Sequence, residues 1–145
     1  MLRRPEAIGL AIVALFSISK VAEADAFDGT YRGMIVCEKL KTSQFMLRAP
    51  LDIIVNGKTA IAARPIFNLK GTLVVGSEIA TGAVADDGTI KLSSNWKGAA
   101  AHFKGSYSGV LTNKGATLTG TQAWTTSEGE QQTRACTAAV VHTPS

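Results

Sequence analysis

Two cysteines, one arginine beside them and a small set of aromatic side chains are the residues of this chain best equipped for chemistry. Cys37 and Cys136 are the only cysteines among 145 residues. In an oxidising compartment an even pair favours a disulfide over a metal site, which would need more ligands. The two are 99 positions apart, and tying them removes roughly 4–5 kcal/mol of unfolded-state entropy in the chain-entropy view, comparable to the whole stability of a small domain. Arg134 stands two positions before Cys136 and so shares its face of a strand. Turned inward, its guanidinium needs a carboxylate, several carbonyls or a bound anion. Turned outward, it runs past the rim or pairs with Glu128 or Glu130. Gln122, between Leu118 and Trp124, is placed to share an inward network. Trp96, Trp124, Tyr31 and Tyr107 could line a pocket for a small ligand, or could simply fill a core.

Other polar residues point away from catalysis. His102 falls on the polar side of its segment and His142 lies near the chain end, so both read as solvated surface histidines without metal-ligand spacing. Asp86-Asp87 precedes Gly88 and reads as turn chemistry rather than a carboxylate pair. Neither a nucleophile elbow nor a P-loop is present. The expectation is a non-enzymatic protein with no metal and no cofactor.

The elements that position these residues are strands. No helical period appears after residue 26; short alternating segments recur instead, broken by Gly, Asn and Asp. The clearest is 44–55, with Phe45, Leu47, Ala49, Leu51, Ile53 and Val55 on one face. Asn56-Gly57 then supplies a hairpin signal. Residues 58–64 return with Thr59, Ile61 and Ala63 together. Segments 30–37, 77–85, 89–96, 101–110, 116–124 and 132–141 complete eight strands.

Eight short strands in sequence predict an all-β fold, an antiparallel up-and-down meander that closes as a barrel, with a two-sheet β-sandwich as the fallback. With the first strand running upward, Cys37 and Cys136 both fall at the top, where closure brings strands one and eight together. The bridge would staple that seam. Connections at the bottom (56–57, 86–88, 111–115) are short turns. Those at the top (38–43, 67–76, 97–100, 125–131) are mostly longer, and Trp96 and Trp124 end upward strands. The disulfide end is therefore the expected mouth. Gly33, Gly105, Gly109 and Gly120 on the inward faces leave room or permit curvature, so a packed interior and a small cavity both stay open.

The N-terminal segment reads as an export signal with a helical apolar run. Arg3 and Arg4 precede the uncharged residues 7–18, and small residues follow with Ala-x-Ala spacing. That run is shorter than the roughly 20 residues a spanning helix needs. Cleavage after Ala24 or Ala26 is expected, leaving 25–145 as a single domain in the periplasm or secreted, with no stable membrane insertion. Removing Arg3, Arg4, Lys20, Glu6 and Glu23 from 15 basic and 11 acidic side chains leaves a net charge of +3. The basic residues are scattered singly, which argues against a nucleic-acid partner. An outer-membrane barrel would carry its apolar face outward, over about 10 residues per strand. Here the strands pair one apolar face with Lys, Arg, Asn and Thr.

Phe27-Asp28-Gly29-Thr30-Tyr31-Arg32-Gly33, Cys37, the stretch Leu118-Thr119-Gly120-Thr121-Gln122-Ala123-Trp124 and Arg134-Ala135-Cys136-Thr137 together resemble a group of small, exported, uncharacterised proteins of alphaproteobacteria. The resemblance covers most of the mature chain and implies export and a β-fold, without an activity to carry over. Gly29-Thr30-Tyr31 is also similar to the Gly-x-aromatic opening of the calycins, the lipocalin and avidin class of ligand-binding barrels. The functional expectations are a barrel binding a small molecule at its disulfide end through Trp96, Trp124, Gln122 and Arg134, or a solid interaction or inhibitor module whose top loops dock on an envelope protein. A stabilised structural domain is the third. An interior void open at the disulfide end favours the first, a filled interior the other two.

Overall fold

The computed structural model describes residues 26–43, 45–68 and 70–144. The segment expected to direct export, 1–24, lies outside the described residues. The described chain is all-β, with strands β1 (Gly29–Cys37), β2 (Leu47–Asn56), β3 (Thr59–Phe67), β4 (Val74–Val84), β5 (Thr89–Lys97), β6 (Ala101–Val110), β7 (Gly115–Thr126) and β8 (Gln131–Pro144). Each pairs antiparallel with its neighbours in sequence, and β8 pairs with β1 to close the barrel.

The register sets how wide the barrel is. From Gly29 the paired residues run to Val55, Ala60, Gly82, Leu92, Tyr107, Gly120 and Cys136, returning to β1 at Cys37. One circuit thus advances eight residues, from Gly29 to Cys37, around eight strands. Equal strand number and shear is the geometry of barrels filled by layers of their own side chains. The interior is indeed filled. Tyr31, Ile53, Ile90, Phe103, Leu118 and Gln122 are fully buried in it. The cavity at mid-barrel measures about 20 Å³, room for one water.

Cys37 and Cys136 are directly paired residues of β1 and β8 and are disulfide-bonded, with Cα atoms 4.0 Å apart. The bridge closes the seam at the upper end, as the spacing predicts.

One hairpin departs from the sequence expectation. Asn56 pairs with Thr59, so the turn is Gly57-Lys58, with positive φ at Gly57 alone, the type II′ pattern. A one-residue shift of a turn exchanges the faces of the returning strand. Ala60, Ala62, Arg64 and Ile66 therefore point inward, while Ile61 is half exposed. Phe45 also departs, lying exposed before β2, because β1 ends at Cys37 opposite Leu47 and offers nothing further to pair with. The longer loops expected at the top are two of four: 38–46 and 68–73 are long, whereas 98–100 and 127–130 are as short as the bottom turns.

Two seams open toward the top. The β2–β3 ladder runs only from Asn56↔Thr59 to Asp52↔Ala63, and the β4–β5 ladder only from Val84↔Ile90 to Ala80↔Ser94. Continuing the β2–β3 register would set Pro50 opposite Pro65, two residues with no N–H to donate. Above these points β3 and β4 remain paired to each other alone, as a ribbon bearing Arg64 and Glu78 opposite one another.

Candidate functional site

The upper interior is organised by alternation on the strands that bound these seams. Glu78 shares its face with Ala80, Ser94 with Leu92, Tyr107 with Phe103, Gln122 with Trp124, and Arg134 with Cys136. All five polar residues are buried, as is Arg64. Gly105 creates the space they occupy: a Cβ there would lie 2.4 Å from Ser94 Oγ and 2.7 Å from a Glu78 carboxylate oxygen.

Hydrogen bonds join them into one network. Arg64 Nε donates to Glu78 Oε1 at 2.5 Å, within a buried ion pair. Ser94 Oγ and Tyr107 OH both donate to Glu78 Oε2, the latter at 2.7 Å. Gln122 Nε2 donates to Tyr107 OH at 2.8 Å and lies 3.5 Å from Glu78 Oε1. Gln122 Oε1 in turn accepts from Arg134 Nε at 2.8 Å and Trp124 Nε1 at 3.1 Å. The network crosses β3 to β8, bridging the interior where the β4–β5 ladder has stopped.

Aromatic rings lie beside it. Phe103 and Trp124 stack with centroids 4.5 Å apart, and Trp96 approaches Phe103 at 5.6 Å and Trp124 at 6.0 Å. Arg134 Cζ sits 5.3 Å from the Trp124 ring centre and Arg64 Cζ 5.7 Å from that of Phe103, both in cation–π range. Trp96 is held in a slot made by Gly76 and Gly98; a Cβ on Gly98 would strike its ring at 2.2 Å. Both indoles remain half-buried at the rim. The β1–β2 loop folds over the mouth at β8, burying Leu40 and donating Lys41 N to Oε1 of Gln132, the residue paired with Trp124, at 2.8 Å.

The charges in this interior do not balance. Among the described residues the buried groups carrying formal charge at neutral pH are the guanidiniums of Arg64 and Arg134 and the carboxylate of Glu78. Burial, reinforced by the charge of Arg64, pushes the Arg134 guanidinium down to about 10. Burial and the neighbouring Glu78 raise the Tyr107 hydroxyl above its ordinary range, so it stays a neutral donor.

Of the residues expected at the site, Trp96, Trp124, Gln122 and Arg134 are brought together, and Tyr107 joins from below as part of the network. Tyr31 is not with them. It lies at the opposite end of the barrel, where its hydroxyl donates to Phe27 O at 2.9 Å and its ring stacks on His142 at 4.2 Å. His142, expected on the surface, is buried there, because the β8 alternation that buries Cys136, Ala138 and Val140 continues to position 142. Its Nε2 lies 2.9 Å from Asp28 O and its Nδ1 3.2 Å from Asn113 O, which ties the N-terminal segment to a bottom turn. Sequence reading missed Arg64 and Glu78. The available signal was the inward series Glu78, Ala80, Val84 on β4, and a turn placed one residue later for β3.

No protein-family model matches the sequence, and no functionally curated protein is similar to it.

Proposed function

We propose that this chain is a non-enzymatic binding module, working in the periplasm or outside the cell, that engages its ligand or partner at the disulfide rim. One observation carries the reading: the interior offers about 20 Å³, while two half-buried indoles and a buried arginine converge at one end. Pockets that enclose a small molecule run to about 300–1,000 Å³. Recognition here is therefore by a surface with a polar floor, the body of the ligand remaining outside.

The experiment is native mass spectrometry of protein purified without denaturation from its own envelope fraction, wild type beside Trp96→Ala/Trp124→Ala and beside Lys114→Ala at the opposite end. An adduct present in wild type and in the Lys114 variant, and absent from the double tryptophan variant, is expected. A bare mass in all three, or an adduct indifferent to the tryptophans, would sink the rim reading.

A further inference from the structure

We infer that the rim beside Arg134 is a receptor for an oxyanion, of the carboxylate or phosphate class, attached to an apolar body. This rests on the rim reading and names the chemistry the rim selects.

An ionised carboxylate offers about four lone-pair directions. Glu78 already accepts from Arg64, Ser94 and Tyr107, with the Gln122 amide nitrogen at the edge of hydrogen-bond distance. It is the one buried carboxylate among the described residues and has no capacity left for a second arginine.

Arg134 is 7% exposed, and among the described residues its single protein hydrogen bond runs from Nε to a neutral amide oxygen. No described carboxylate lies within ion-pair distance of it, Glu128 and Glu130 included. Arg134 is the more exposed of the two buried arginines, 7% against 3% for Arg64, whose Nη2 is fully enclosed. Arg64 Nη2 is buried without a partner, and the cavity that Arg64 helps to line, about 20 Å³, is too small for an oxyanion and its substituent. Arg134 is thus the cation whose free face is reachable from outside.

A guanidinium offers paired N–H groups in a fork that fits carboxylate or phosphate oxygens. Trp124, whose ring centre lies 5.3 Å from Arg134 Cζ and which stands one inward position nearer the rim, and Trp96, 6.0 Å from Trp124, give an apolar surface beside that fork. A neutral ligand would leave a buried cation without a counter-charge; an oxyanion supplies one.

The test uses the mature, disulfide-bonded protein and three probes: N-acetylphenylalanine, phenyl phosphate, and N-acetylphenylalaninamide as the uncharged control. Trp96 and Trp124 are the chain's two tryptophans, so intrinsic fluorescence reports the rim directly, with calorimetry for stoichiometry. One of the two anions should bind one to one and at least about tenfold tighter than the amide, the loss of a charge-assisted pair. Comparing the two anions distinguishes carboxylate from phosphate. Arg134→Met should abolish that binding while leaving the melting temperature equal or higher, because it removes a buried cation with no counter-ion among the described residues. Arg134→Lys, which keeps the charge and loses the fork, should bind several-fold more weakly.

Equal binding of amide and acid overturns the oxyanion assignment, as does failure of both anions, or full anion binding by Arg134→Met. None of these results touches the adduct measurement, so they are distinguishable from failure of the rim reading.

Discussion

The β8–β1 seam and the β2–β3 seam are held in different ways. Along β8–β1 nine residue pairs run from Gly29↔Pro144 to Cys37↔Cys136, and a disulfide ends the row. Along β2–β3 five pairs run from the bottom turn to Asp52↔Ala63, and the register then meets Pro50 and Pro65. The β4–β5 seam also stops after five pairs, at Ala80↔Ser94. The upper part of the β3–β4 ribbon, freed on both sides, is fastened by side chains. Glu78 reaches across the interior to Ser94 on β5 and Tyr107 on β6. Backbone pairing and a covalent bond secure one side of the mouth, a buried polar network the other. That difference explains why charge is found inside a barrel with a filled core.

The comparison is broken most forcefully at Glu78. Replacing it with Ala leaves Arg64 buried without a counter-ion and removes the acceptor of two hydroxyls. A loss of about 3–5 kcal/mol is expected, read by urea denaturation. The double variant Arg64→Met/Glu78→Leu should recover most of that loss, since apolar replacement of a buried pair is often neutral. A cost below about 1 kcal/mol for Glu78→Ala would mean the ribbon is held by something other than the network.

On the other seam, Cys37→Ser/Cys136→Ser should cost about 2–5 kcal/mol, lowering the melting temperature by roughly 10 °C or more for a domain of this size. Hydrogen exchange sharpens the contrast. In the oxidised protein the amides of β1 and β8 should exchange slowly and those of residues 74–79 on β4 distinctly faster. Uniform protection around the barrel would erase the distinction between the seams.

Much of this architecture is legible in the sequence. Alternation in β1, β2 and β5 to β8 identifies the inward faces, and eight strands in meander order place both cysteines at one end. The two-residue offset puts Arg134 on the face of Cys136, but the sequence left open whether its guanidinium turns inward or runs past the rim; the hydrogen bond to Gln122 sets it inward. What escaped depends on a single turn. With Asn56-Gly57 as the hairpin centre, Thr59, Ile61 and Ala63 share a face and Arg64 falls outside; with Gly57-Lys58, the set inverts. Propensity favours Ile over Ala for a core, so local composition argues for the wrong face. The narrow interior reverses that preference, because shear equal to strand number leaves little volume beside the polar network. His142 was obscured by its distance from the last apolar segment, although the β8 alternation extends to it.

The polar side of the comparison also has a signature in alkali. Tyr107, raised by burial and by Glu78, keeps its proton in the fold, whereas the unfolded side chain releases it near 10.0. Tyr31 is raised in the same direction, by burial and Asp28. Above that pH the folded chain binds more protons through these groups, so their contribution is full below pH 10 and is lost as pH rises. Arg134 acts with the opposite sign. Its guanidinium, depressed by the fold to about 10 from the higher value of the free side chain, lets the unfolded chain hold the proton longer, and this adds stability above pH 10. The wild-type slope between about pH 10 and 12 is therefore a difference of opposed effects. Relative to it, Arg134→Met should lose stability more steeply with pH, and Tyr107→Phe less steeply from a neutral-pH value about 1–2 kcal/mol lower. Denaturant titrations at stepped pH measure all three. Parallel slopes would show that neither group changes its proton affinity on folding, and that the network at the open seams is not the electrostatic unit its geometry describes.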